Sequence, residues 1–187
     1  MKKQLLIALA LVASLTGFSQ FRFGPAVEIA LPMGDFADAY SLGYGVSARG
    51  EYGVGDNLGV GLQLGYIMLS PSEDLKDFVK SSSMMPIQLM GKYYFSEQQN
   101  GAYGGIFLGI HNSSVTTEEI DLGILGKIEG TTESSSNLSY GLGAGYLVNG
   151  KIDVNLRYNM IAPDSDIEDA EASSYLGISA AFLLGGE

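Results

Sequence analysis

Apolar and polar positions alternate with a period of two along most of this chain, and that period predicts strands rather than helices. In Asn57–Leu69, one set of alternate positions holds Leu58, Val60, Leu62, Leu64 and Tyr66. The other holds Gly59, Gly61, Gln63 and Gly65. The same period marks Glu28–Met33, Ser41–Val54, Ser83–Phe95, Gly101–Asn112, Asn137–Val148, Lys151–Ile161 and Ser173–Leu184. The first of these is the shortest and has Pro25 and Pro32 at hand. With Asn57–Leu69 they make eight predicted strands. Their connections alternate in length. Gly55–Asn57, Ser96–Asn100 and Asn149-Gly150 are tight, and Asn-Gly is the strongest short hairpin signal. Gly34–Tyr40, Pro71–Ser82, Ser113–Ser136 and Ala162–Ala172 are longer.

The two faces of these strands differ in bulk as well as polarity. Beyond Asn57–Leu69, the apolar face carries Val27, Ile29, Leu31, Tyr44, Val46, Tyr52, Leu89, Tyr93, Ile106, Leu108, Tyr140, Leu142, Val154, Leu156 and Ile178. The opposite face carries Glu28, Arg49, Glu51, Gln63, Gln88, Lys92, His111, Asp153, Asn155 and Arg157, with many glycines. A soluble core needs large interlocking side chains, and its exterior has no need of glycine. A small barrel in lipid inverts the demand: hydrocarbon meets the full face, and a narrow lumen needs glycine beside its long polar side chains. Backbone groups left unpaired in hydrocarbon cost several kcal/mol each, so the sheet must close. Short turns on one rim and long loops on the other match such a barrel, with the turns in the periplasm. The expected fold is all-β, an eight-stranded antiparallel up-and-down transmembrane β-barrel.

That orientation sorts the aromatics. Tyr44, Tyr66, Tyr140 and Tyr158 fall toward the loop rim, and Tyr52, Tyr93, Phe95 and Phe182 toward the turn rim. Two interfacial girdles are expected of membrane barrels. Inside, Glu28, Glu51 and Asp153 are expected to pair with Arg49, Lys92 and Arg157, because buried charges need partners or water. Eight strands enclose an interior about filled by side chains, so the network is expected to close the lumen rather than conduct.

The first residues, MKKQLLIALALVASLTGFSQ, place Lys2 and Lys3 before an apolar stretch, Leu5 to Leu15, with Gly17 and Ser19 ahead of a cleavage point. This is the pattern of a secretory signal over 1–19, too short to span a membrane stably. The barrel domain is then expected over 20–187. The formal charge is −11, and loss of Lys2 and Lys3 takes it to −13, which repels nucleic-acid phosphates. The absence of cysteine excludes a disulfide framework and a lipidated cysteine.

Candidate chemistry is sparse. The single histidine, His111, stands two residues before Ser113 in HNSS. A hydrolytic pair needs histidine beside the hydroxyl and a carboxylate to orient it. Parity turns His111 to the lumen, so an enzyme of lipid is not expected. Asp164, Asp166, Glu168, Asp169 and Glu171 suit Ca²⁺ or Mg²⁺ but lack EF-hand spacing, and read as a solvated loop. Ser70, Pro71 and Glu73 form a capping box that predicts a short helix with Leu75, Phe78 and Val79 on one side. The connection after the fifth strand is rich in β-formers and is expected to prolong strands five and six above the membrane. No phosphate loop, zinc spacing or nucleotide fingerprint occurs, and no cofactor is expected.

Taken together, the leader, the eight strands, the GYGVSARGEYGV to NLGVGLQLGY hairpin and the LSYGLGAGYLV strand resemble the small OmpA/OmpX-like outer-membrane β-barrels. They are most similar to the "porin family" or PorT-like barrels of Bacteroidetes. The resemblance implies an outer-membrane location with lipid and lipopolysaccharide as surroundings. It also implies work in envelope stabilisation, adhesion, or service to a secretion or gliding machine. A narrow channel for ions or small solutes is the alternative class, and a lipid-modifying enzyme a third.

Overall fold

The computed structural model describes residues 20–117, 120–121, 127–128, 130–163 and 171–186. The expected export signal over 1–19 lies outside the described residues, as do Asp164, Asp166, Glu168 and Asp169 of the acidic loop. Eight long strands follow in order: β1 (Phe21–Met33), β2 (Tyr40–Val54), β3 (Leu58–Pro71), β4 (Val79–Tyr94), β5 (Gly101–Thr117), β6 (Thr132–Val148), β7 (Ile152–Ile161) and β8 (Ser173–Phe182). Each pairs antiparallel with the next in sequence, and β8 pairs with β1 from Ala26↔Ala181 to Met33↔Ser174. The sheet is therefore a closed eight-stranded up-and-down barrel with no open long edge. A short piece, Leu184–Gly185, continues the seam beside Arg22 and Phe23.

Why these residues form these strands follows from the two faces. Leu89 is 65 % and Leu142 68 % exposed, while the inward Gln63 and Asp153 are 0 % exposed. The apolar set stands on the outside throughout, as a lipid solvent requires. Among the described residues no helix is long and apolar enough to cross a membrane; the strands do the crossing.

The strand limits depart from the sequence reading at both ends of the barrel. β1 begins at Phe21 rather than Glu28 and carries both prolines. Pro25 lies just before the first β8 partner of β1, Ala26, where the ladder is interrupted, so its missing N–H leaves no ladder acceptor stranded. At the other rim β5 and β6 reach 17 residues each, against the 9–11 or so that cross a bilayer. Their outer parts pair from His111↔Asn137 to Thr116↔Thr132, and Ile120–Asp121 pairs with Lys127–Ile128 beyond them. The hairpin thus stands well clear of the apolar belt.

Two loop details differ from expectation. The stretch after Ser70 forms hydrogen-bonded turns, with Ser72 O accepting from the N–H groups of Leu75 and Lys76, not a capped helix. Ser70 and Pro71 are taken by β3, where they pair with Leu42 and Tyr40, so the capping box loses its start. The helix instead lies in the first loop, α1 (Asp35–Ala39), after Gly34 with φ 59°. The Asn149–Gly150 turn has φ of 50° and 67°, the left-handed pair a two-residue hairpin requires.

Candidate functional site

The barrel interior holds the chain's chemistry. Inward glycines create room there. A Cβ on Gly59 would lie 2.6 Å from Glu51 Oε1, and one on Gly143 2.8 Å from Arg157 Cβ. The bare face of each strand is the space its neighbour's long side chain fills.

Seven ionised side chains are buried among the described residues: Arg22, Glu28, Arg49, Glu51, Lys92, Asp153 and Arg157. They form one continuous chain of alternating sign. Arg22 Nη2 donates to Glu51 Oε1 at 3.0 Å. Glu51 Oε2 lies 2.7 Å from Lys92 Nζ, which donates to Asp153 Oδ2 at 2.7 Å. Arg49 Nη1 reaches the same oxygen at 3.4 Å and, through Nη2, Glu28 Oε1 at 3.1 Å. Glu28 Oε2 accepts from Arg157 Nη2 at 2.5 Å. Every carboxylate thus meets two cations, which is what makes such burial tolerable.

Neutral groups complete the shells. The Tyr94 and Tyr103 hydroxyls donate to Glu51 and Asp153, each at 2.6 Å. Ser47 donates to Glu28 at 2.5 Å, Arg157 Nη1 to Gln63 Oε1 at 2.7 Å, and Arg49 to the Ser179 hydroxyl. Ser179 in turn donates to Asn155 at 2.9 Å, and Gln88 donates to Asn159 at 3.2 Å. His111 Nε2 lies 2.8 Å from the Tyr175 hydroxyl.

The structure thus places all ten polar positions marked in the sequence inside the lumen. Its two ends hold what the sequence reading did not mark. At the turn end, Gln99 folds under the barrel at φ 49°. Its carbonyl and its Oε1 each accept from Arg22 at 2.8 Å, and its Nε2 donates to Gly55 O and Leu58 O. At the loop end, Ala30, Ile67, Leu69, Met84, Ile161 and Tyr175 form an apolar lid, with Phe36 and Tyr40 packed against it. The lumen is therefore a polar column between two closures, not polar throughout. Strand parity was the available signal: Ile67, Met84, Tyr94, Tyr103 and Tyr175 all sit on inward positions.

The eight girdle aromatics stand outside the wall, from Tyr52 at 37 % to Phe95 at 70 % exposed. Phe21, Phe23 and Tyr146 join the turn-end group; the two phenylalanines stack at 5.9 Å.

A glycine substitution tests the packing. A Cβ on Gly145 would collide with the Tyr103 hydroxyl, whereas one on Gly104, on the lipid side, meets nothing closer than Phe95 Cζ at 3.9 Å. Gly145→Ala is expected to lower stability by about 1–3 kcal/mol through crowding, and Gly104→Ala to change it by less than about 0.5 kcal/mol. Urea unfolding from lipid vesicles compares them; equal midpoints would contradict a packed lumen.

A closed wall, a polar interior and an apolar belt specify a membrane barrel. The sequence matches the family described as outer membrane protein beta-barrel domain over residues 5–182. The chain belongs to that family. Membership carries with it an outer-membrane location for the barrel.

Among solved structures, the barrel is similar to the N-terminal β-barrel domain of Pseudomonas aeruginosa OprF. The TM-score is 0.59 at 13 % identity, over 87 % of this chain and 97 % of that one. It is also similar to Ail, the attachment invasion locus protein of Yersinia pestis. There the TM-score is 0.55 at 12 % identity, over 88 % and 97 % of the two chains. Neisserial surface protein A matches at a TM-score of 0.50 and 17 % identity, over 87 % and 96 %. At these identities the likeness is one of fold. No curated protein matches the chain.

Proposed function

We propose that this outer-membrane barrel is a sealed, non-enzymatic scaffold that stabilises the envelope and offers its loop end for adhesion or partner binding. The observation that carries the reading is the filled lumen: one unbroken charge chain between the Gln99 latch and the apolar lid. Such an interior favours structure over transport. His111 supports the non-enzymatic reading, because it is buried against Tyr175 on the lumen side, away from lipid substrate.

The loop end supports a partner. A polar cleft of about 620 Å³ opens there, lined among others by Ser113, Ser135, Asn137, Glu133 and Glu171. A hydrogen bond to Asp35, and the charge of that neighbour, hold the Glu171 carboxyl above its usual range. The four long connections carry fifteen carboxylates against Lys76, Lys80 and Lys127. Their field repels polyanions and attracts cationic surfaces, so an envelope or secretion-machinery partner would approach with basic residues. Lipid and lipopolysaccharide surround the wall. Among the described residues no cluster of three or more metal-ligating side chains occurs. The leader over 1–19 is proposed as the export signal. The Gly43–Tyr66 hairpin and the Leu138–Val148 strand support a place among the PorT-like barrels.

Planar-bilayer recording tests the sealed state. The wild-type protein is expected to show no sustained conductance. Arg49→Ala, which removes contacts to Glu28 and Asp153, is expected to weaken the fold without opening a large pore. A stable large channel in either protein would favour the alternative, a path for ions or small solutes.

A further inference from the structure

We infer that the loop end takes up an extended basic segment of a partner protein as an added strand. The segment pairs with the open side of β6 over Thr132–Asn137 and sets its lysine or arginine side chains in the polar cleft beside it. The inference rests on the reading of the loop end as a partner-binding surface and names the mode of contact.

The wall is a closed ring at its waist and stepped at its loop rim. β6 is paired on both sides from Ser139 to Leu147. One contact with the end of β7 lies above that, where the Ala162 N–H donates to Leu138 O at 2.8 Å. Pro163 follows and has no N–H to carry the ladder on. β5 and β6 nevertheless continue upward, paired from His111↔Asn137 to Thr116↔Thr132. Over that run no strand lies on the other side of β6 among the described residues.

Backbone groups alternate in direction along a paired strand. Leu138 O points toward β7, so the N–H and C=O groups of Ser136, Ser134 and Thr132 point to the open side. The intervening residues turn to β5, as Thr131 O does in accepting from the Thr117 N–H at 3.0 Å. The open run is as long as an ordinary strand. Edges that stay free are usually short, bulged, or guarded by lysine or proline. The rim's other edge, Val79–Ser81 of β4, is of that kind: its register shifts there and it bears Lys80. TESSSN has no such guard, and its register with β5 is unbroken.

The cleft selects the partner's chemistry. Glu133, Ser135 and Asn137 share the parity of the buried Ser139 and face over the lumen mouth. With Glu171 and Ser173 across from them they line the cleft of about 620 Å³, and no lysine or arginine lines it. Carboxylates among hydroxyls suit an ammonium or guanidinium. A strand laid along β6 delivers a side chain to that face about every 7 Å. A second copy of this chain would set the same carboxylates against each other.

The test uses the full chain in phosphatidylcholine nanodiscs, with the peptide (Thr-Lys)4 as probe. In the free protein the amides of Thr132, Ser134 and Ser136 should exchange freely with deuterium, and saturating peptide should slow them roughly tenfold or more. The acidic peptide (Thr-Glu)4 should not bind. A lysine peptide N-methylated at its threonines keeps the charge but loses the ladder donors, and should not bind either. Ser134→Pro should fold normally, because its N–H makes no bond to β5 and an edge tolerates proline, yet weaken binding roughly tenfold or more. Glu133→Gln combined with Glu171→Gln should weaken it about as much. Equal binding by the parent and N-methylated peptides, or by wild type and Ser134→Pro, overturns strand addition while leaving the loop end a surface for cations. Amides of Ser134 and Ser136 already protected in the free protein overturn it as well, because the edge is then covered by the chain itself. Failure of the lysine peptide to bind also overturns it, and leaves the sealed scaffold to be judged by conductance.

Discussion

Glu28→Ala lowers the stability of the folded barrel by about 3–5 kcal/mol, the scale for stranding a buried charge. Glu28 is the carboxylate on which most of the column converges: Ser47, Arg49, Gln63 and Arg157 all reach it. Its removal leaves Arg49 with one carboxylate 3.4 Å away and Arg157 with none. Glu28→Gln keeps hydrogen-bonding atoms and loses only the charge, so its cost falls between alanine and wild type. Urea titration of the protein in lipid vesicles reads both, and a heat-shifted gel band reports loss of the folded form. A wild-type midpoint for Glu28→Ala would mean that the charge chain contributes nothing to folding.

The second large effect lies on the other face of the wall. Leu62→Arg places a guanidinium in hydrocarbon from the middle of β3, at a side chain 43 % exposed, and is expected to cost about 2–4 kcal/mol near the bilayer midplane. Val54→Arg, on the same outward face at the turn end of β2, is expected to cost about 0–1 kcal/mol because its charge reaches the interface. The depth gradient is the diagnostic quantity. Equal costs in vesicles for the two substitutions would contradict a lipid belt on this wall.

Much of the fold was readable because a membrane barrel imposes one rule on every strand. Leu58, Val60, Leu62 and Leu64 alternate with Gly59, Gly61 and Gln63, and a one-residue slip would reverse inside and outside. The Asn149-Gly150 turn and the four long loops then fix the order of strands. Arg49, Lys92, Arg157 and their carboxylates were legible for the same reason: charges with inward parity have nowhere else to go.

What escaped the sequence depends on geometry at the rims. Arg22 stands beyond Pro25, where strand signals fade, so the first cation of the chain was not marked. Gln99 sits in a connection whose residues give no periodic signal, and its positive φ is imposed by contacts from Arg22, Gly55 and Leu58. The lid residues Ile67, Leu69 and Met84 are apolar on an inward face, the reverse of the rule used to find that face. They lie near the outer mouth, where the lumen closes against the first loop. The capping box at Ser70 failed because local helix signals lost to ladder pairing with β2.

The seam between β1 and β8 carries a consequence for assembly. Ala26 and Ala181 are neighbours in space but come from the first and the eighth strand. Until the last segment has been delivered, the growing sheet has two raw borders whose amides and carbonyls face lipid with no partner. Closure of the cylinder therefore requires a pairing step that joins the first strand to the eighth. A truncation before Ser173 would leave a gutter rather than a cylinder.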